Sequence, residues 1–213
     1  EISECLVGSE MCIRDSPGTI DNDLNYTDYT LGFDTAVNTV LNAVNNIRDT
    51  MSSHDRACIV EVMGRSCGDI ALFSAIGGGA DAVVTPEKGL DLDALAAQLK
   101  QGEKLGKSSN IILLSEGVCS AQSLKEQLAA VTDMTLRTVT LGHVQRGGSP
   151  TVQDRVAASQ LGYYAVDLLS KGIGNRVVGL QHNEVVDYDI QEALKMKKEF
   201  PHDLYKIANE ISF

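Results

Sequence analysis

The sequence predicts an α/β protein built on a largely parallel sheet, and three observations carry that reading. Short apolar runs of strand length alternate with longer stretches of helical period. Glycine and proline punctuate the alternation, as at Gly77, Gly78, Gly79 and Pro86. The 213 residues, 43% hydrophobic and 22% charged, suffice to bury a core in one large domain or two small ones.

A helix is predicted over residues 32–49, where Ala36, Val37, Val40, Leu41, Val44 and Ile47 fall on one face. Residues 57–62 (ACIVEV) form a short buried strand in which Cys58 acts as a small hydrophobe. Residues 69–76 read as a helix ended by Gly77, Gly78 and Gly79. A strand at 82–85 stops at Pro86, and a helix at 91–105 turns Leu92, Leu95 and Leu99 to one side. A strand at 110–115, a helix at 121–131 and a strand at 135–141 follow. A long helix at 151–170 leads to a strand at 176–180, and helices at 189–195 and 202–211 end the pattern.

Asp and Glu number 29 against 18 Lys and Arg, a formal net charge of −11. That balance excludes a general nucleic-acid binder, which needs a basic surface against phosphate. No apolar run approaches the roughly 20 residues of a membrane span, and no Arg-flanked apolar signal segment stands at the start. The composition points to a soluble, acidic, cytosolic protein. Cys5, Cys12, Cys58, Cys67 and Cys119 form no CxxC pair, which argues against a disulfide scaffold or zinc ribbon. His54, His182 and His202 have no metal-ligand spacing, and no metal site is expected in the chain.

Residues 1–16 (EISECLVGSEMCIRDS) show neither helical nor strand period. The part from Leu6 to Asp15 back-translates into a sequence resembling a transposase-type library adapter, so the segment is set aside from the fold as an expected non-native scar, a natural disordered tail being the alternative. Setting aside Glu1, Glu4, Glu10, Asp15 and Arg14 leaves 25 acids and 17 bases, still a net −8.

Ligands of α/β sheets sit in loops at the carboxyl ends of strands. Residues 102–108 (GEKLGKS) imitate a phosphate loop, but they are one residue short and follow a helix. The loop 17–23 (PGTIDND) gathers a turn glycine, the Thr19 hydroxyl and the carboxylates of Asp21 and Asp23. One carboxylate there could take a proton from an attacking alcohol; the plainer reading is an Asx-turn. After the strand at 57–62 come Met63, Gly64 and Arg65: a glycine for close approach and a planar fork of donors for a phosphate or sugar oxygen. After the strand at 110–115 comes Glu116, able to accept from sugar hydroxyls or simply to face solvent. After the strand at 135–141 come His143 and Arg146 around a glycine turn, a phosphate-type pairing, or a structural turn with Ser149 as helix cap. Arg56 and Arg137 stand before or within strands, at the wrong end for the same chain's site.

Taken together, PGTIDND, EVMGR, SEG and GHVQRGGSP, in this order, resemble the bacterial-type 6-phosphofructokinase family, from Pro17 to the C-terminus. The resemblance implies a phosphofructokinase-like α/β fold of parallel-sheet sandwich domains, with the N-terminal part of the nucleotide domain missing. Residues 17–32 and 146–198 would belong to the nucleotide side, and 33–145 and 199–213 to the sugar-phosphate side. It implies a glycolytic kinase that moves the ATP γ-phosphoryl group to the 1-hydroxyl of fructose 6-phosphate. Asp21 matches the base, with Thr19 and Arg65 as further catalytic residues. Thr19, Ile20, Asp21, Met63, Gly64, Arg65, Glu116, His143, Val144, Gln145 and Arg146 match the substrate-binding set, and Asp23 a supporting carboxylate. Arg56 and Arg137 match arginines that reach the 6-phosphate from an adjacent subunit of a homotetramer. Mg²⁺ would come with ATP, its ligands lying in the missing part, so the isolated chain is expected to be inactive. Arg48, Gly79, Ala80, Asp81, Lys107 and Ser108 match an ADP or phosphoenolpyruvate effector site. That match is partial, because Asp81 replaces a Glu and Leu105 an Arg. Gly18 stands where glycine goes with ATP and lysine with pyrophosphate. A pyrophosphate-dependent enzyme and a non-catalytic sugar-phosphate-binding chain are the alternatives.

Overall fold

The computed structural model of the chain describes residues 14–51, 56–107 and 109–212. Its centre is a parallel sheet of four strands in the order β3-β4-β2-β5: β2 (Arg56–Val62), β3 (Ala82–Val84), β4 (Ser109–Ser115) and β5 (Leu136–Thr140). Helices cover both faces, which is why β2 and β4 read as near-continuous apolar runs instead of alternating ones. Cys58, Val60, Val62, Ile111 and Leu113 pack on one side with α1 (Phe33–Met51), α2 (Asp69–Gly78) and α7 (His202–Glu210). Ala57, Ile59, Ile112 and Leu114 pack on the other with α3 (Leu92–Lys104) and α4 (Ala121–Ala129). Each fully buried Ile or Leu here contributes roughly 1.5–3 kcal/mol of burial.

A second sheet has the order β1-β6-β7, with β1 (Arg14–Asp15) parallel to β6 (Arg176–Gln181) and β7 (Glu184–Asp189) antiparallel to it. Val177 packs with Tyr26 and Ala193, and Val178 with Leu161 and Leu168 of α5 (Val152–Ser170). The β6–β7 hairpin departs from the expected parallel pattern. Its turn, His182 and Asn183, has φ of 51° and 66°, the paired left-handed geometry that closes a two-residue hairpin. Arg14 and Asp15, in the segment set aside above, pair with Arg176 and Val177. The rest of that segment up to residue 13 lies outside the described residues.

Three further boundaries differ from expectation. α2 continues through Gly77 and Gly78 and ends only at Gly79. A Cβ on Gly78 would lie 3.1 Å from Leu41 Cδ2, so the glycine lets α1 approach within the helix, not after it. The helix expected over 189–195 shrinks to α6 (Ile190–Ala193), with the Asp189 side chain accepting from Gln191 N as its cap. The helix at 151 is capped by Thr151, whose hydroxyl accepts from Asp154 N, and not by Ser149.

Candidate active site

The loops after β2, β4 and β5 are stitched to one another by side chain to main chain bonds. Glu116, just past β4, accepts through Oε1 from Gly64 N at 3.3 Å and from Arg65 N at 3.1 Å. No hydrogen bond to its Oε2 is present among the described residues. Gln145 lies in a 3-10 turn, Gly142–Arg146. Its side chain points inward, accepting from Met63 N at 3.1 Å and donating to the Gly142 carbonyl at 3.0 Å. Gln145 therefore joins two loops, while His143, Val144 and Arg146 stay on the exposed side of the same turn. Gly64 has φ +141°, and a Cβ there would lie 2.4 Å from the Cys67 carbonyl oxygen. Only glycine makes this turn without backbone movement. Arg65 follows at φ 52°, an unusual conformation for a long side chain and one that functional loops tend to hold.

The 17–23 loop enters this group from the side. Thr19 Oγ1 accepts from Asp21 N at 3.2 Å, closing a short turn. Asp21 is 4% exposed, and its Oδ2 lies 3.4 Å from Arg65 Nε. Its Oδ1 is buried with no hydrogen-bond partner. Burial pushes the Asp21 carboxyl above the usual carboxylate range. The charges of Asp23 and Glu116 push the same way, and those of Arg65 and Arg146 oppose them. The loop and the 3-10 turn wall a cleft of about 320 Å³ lined by Ile20, Thr35, Gln145 and Arg146 among others.

Thr19, Ile20, Asp21, Met63, Gly64, Arg65, Glu116, Gln145 and Arg146 are thus brought together, with His143 and Val144 on the rim. Arg56 and Arg137 are not. Arg56 opens β2, with its side chain outside the described residues, and Arg137 pairs with Cys58 near the amino end of the sheet. In the other predicted cluster, Arg48 donates to the carbonyls of Gly78 and Gly79 at the end of α2. Ala80 is buried beside them. Lys107 pairs with Asp81 at 2.7 Å and donates to the Ser212 carbonyl. Asp81 Oδ2 accepts from Ile111 N at 2.7 Å. Ser108 lies outside the described residues. Residues 102–104 close α3, so the phosphate-loop lookalike is a helix end.

Two features escaped the sequence reading. Asp154 of α5 is 4% exposed and accepts from Tyr29 OH and Gly32 N, both at 2.7 Å, from Thr35 N at 3.0 Å, and from the Thr35 hydroxyl. Burial alone would raise this carboxyl, but the bonds from Thr35, Gly32 and Tyr29 outweigh burial and hold it below the usual range. Behind Asp21, Asn22 and Asp69 are buried against Lys198. Neither was legible, because the partners stand 47 to 176 residues apart. Among the described residues no group of three or more His, Cys, Asp or Glu could hold a metal ion.

The geometry defines an α/β protein whose loops at the carboxyl ends of the strands gather two carboxylates, Asp21 and Glu116, around Arg65, groups able to hold a small anionic, hydroxyl-bearing ligand. The sequence profile of the family described as Phosphofructokinase matches residues 8–169, and the chain belongs to that family. The ATP-dependent 6-phosphofructokinase of Clostridium novyi (strain NT) is 56% identical over 197 residues, covering 92% of this chain and 62% of that protein. The protein of the same name from Clostridium botulinum (strain Loch Maree / Type A3) is 52% identical over 196 residues, covering 92% of this chain and 61% of that one. The chain thus spans less than two thirds of the length of these relatives. Among solved structures, phosphofructokinase from Saccharomyces cerevisiae superposes with a TM-score of 0.82 at 29% identity, over 94% of this chain and 29% of that one. A pyrophosphate-dependent phosphofructokinase from Marinobacter aquaeolei gives 0.77 at 19% identity, over 97% and 62%, a likeness of fold alone.

Proposed function

We propose that this chain supplies the fructose 6-phosphate side of an ATP-dependent 6-phosphofructokinase, in a protein completed by the N-terminal part of the fold. The carrying observation is Asp21 Oδ1, a buried carboxylate oxygen with no donor. A sugar 1-hydroxyl is a donor with a proton to lose. As its oxygen attacks the γ-phosphorus, Asp21 takes the proton. The new O–P bond forms, the bond from phosphorus to the bridging oxygen of ATP breaks, and ADP leaves. A carboxyl raised by burial is a better matched base than a free one.

Phosphoryl transfer demands position and charge neutralisation more than covalent help. Arg65 and the Thr19 hydroxyl face the transferring group. Glu116 Oε2 accepts from sugar hydroxyls, and His143 and Arg146 hold the 6-phosphate, with the main chain of Ile20, Met63, Gly64, Val144 and Gln145 completing the wall. Arg56 and Arg137 serve a neighbouring subunit of a homotetramer. Mg²⁺ would accompany ATP and offset charge on its phosphates, with its ligands expected in the N-terminal part of the fold. ATP as donor is supported by Gly18 and by the names of the relatives. The Arg48–Lys107 corner binds ADP or phosphoenolpyruvate weakly, because Asp81 already neutralises Lys107. The glycolytic resemblance supports a cytoplasmic reaction. Among the described residues no helix is long and apolar enough to cross a membrane.

The test is the N-terminally completed protein, assayed for fructose 1,6-bisphosphate with ATP and, separately, with pyrophosphate. Turnover with ATP is expected. Asp21→Asn should lower kcat by about 10²–10⁴-fold while sugar-phosphate binding stays nearly unchanged. Normal turnover in that variant removes Asp21 from its role.

A further inference from the structure

Behind the loop that carries Asp21 stands an ion pair between buried Asp69 and half-buried Lys198. Asp69 opens α2 and is 2% exposed. Its Oδ2 accepts from Asn22 Nδ2 at 2.8 Å and from Lys198 Nζ at 2.7 Å. The Lys198 ammonium also donates to the Asn22 main-chain carbonyl. Cys67 Sγ points to that carbonyl at 3.7 Å, and Asn22 Nδ2 reaches the Asp28 carbonyl at 3.3 Å. One ion pair therefore grips Asn22 at both its side chain and its main chain. Asn22 follows Asp21 directly and has φ 53°, so it sets the direction in which the chain leaves the proposed base.

A buried ion pair is a weak source of stability, because desolvation offsets its attraction. Its geometric effect is larger. We infer that Lys198 and Asp69 are positioning residues that lock Asn22 in its left-handed conformation and so keep Asp21 in place beneath the attacking hydroxyl. This rests on the functional reading above. Lys198 lies between α6 and α7, and Asp69 at the carboxyl side of the four-stranded sheet, so the lock ties the loop to two distant segments.

The experiment uses the completed protein with Lys198→Met, Lys198→Arg and the neutral double variant Asp69→Asn/Lys198→Met. The double variant leaves no lone buried charge if the single one fails to fold. Misplacement of a reacting group by about 1 Å costs on the order of 10²-fold, so Lys198→Met should lose roughly that in kcat with KM for fructose 6-phosphate within about twofold. Lys198→Arg should restore most of the rate. Amide hydrogen exchange should rise at residues 18–24 in Lys198→Met and not in β2 or β4. Unchanged exchange at 18–24, an unchanged kcat, or a rise in KM with constant kcat overturns the inference. An inactive wild-type protein would strike the functional reading instead, and the exchange measurement would still decide this one.

Discussion

Asp21 is held under two opposing demands. As the proposed base it must be ionised, yet burial favours its neutral form. The consequence for stability has a definite sign. Because the folded carboxyl titrates above its ordinary value of 3.8, the folded state keeps a proton that the unfolded chain releases between the two values. Stability attributable to this group is therefore greatest at low pH and falls as pH rises through the folded pKa. Asp21→Asn, while destroying turnover, should make the protein more stable at pH 7. The gain should fade as pH drops through 3.8, as the unfolded carboxyl takes up its proton as well. Parallel urea unfolding curves of wild type and variant at pH 7 and pH 4 check this; a loss of stability at pH 7 would contradict it. Gly64 gives a second residue-scale test. Gly64→Ala brings a Cβ against the Cys67 carbonyl in a backbone conformation that L side chains rarely adopt. The Met63–Arg65 turn must shift, and with it the Glu116 bonds, so KM for the sugar phosphate should rise by about tenfold or more, read from initial rates.

Among the elements, what could be read from sequence follows burial. β2 and β4 were legible because both their faces are buried and their runs are nearly all apolar, with Glu61 the one charge inside β2. α1 was legible because one of its faces is wet. β7 was not read: EVVDYD is half-buried throughout, and the left-handed His182 and Asn183 turn before it is the signal that would have found it. The site divides the same way. Motifs beside strand ends marked Asp21, Arg65, Glu116 and Arg146, whereas the inward turn of Gln145 and the Asp69–Lys198 pair depend on contacts that only folding creates. Asp154 is the clearest such case at this scale, since it fastens the start of α1 to α5 through four hydrogen bonds. Its folded pKa is depressed, so its stabilisation is present above 3.8 and is lost as pH falls through the folded value. Asp154→Asn should cost about 3 kcal/mol at pH 7, as charge-assisted bonds are replaced by weaker or missing ones. The difference between variant and wild type should narrow in acid, measured by denaturant unfolding across pH.

For the whole molecule, the parallel sheet imposes a direction. Every strand of the four-stranded sheet runs toward the Asp21 side, so a residue near the amino end of a strand is carried away from its own site. Arg137 is such a residue: it pairs with Cys58 near the start of β2, and the strand rises about 3.3 Å per residue before it reaches the 3-10 turn. A cation there can serve a sugar phosphate only across an interface, which is the proposed assembly of subunits. The arrangement makes a prediction that a single-subunit site cannot share. Arg137→Ser should weaken sugar-phosphate binding by about tenfold or more, the value of a charge-assisted contact to phosphate. Asp21→Asn should bind sugar and not turn over. Dissociated and reassembled together, the two inactive or weakened proteins form sites that combine an intact Asp21 from one subunit with an intact Arg137 from the other. Such hybrids should regain turnover at low fructose 6-phosphate that neither parent shows. If mixing restores nothing while each parent assembles normally, Arg137 does not act across subunits.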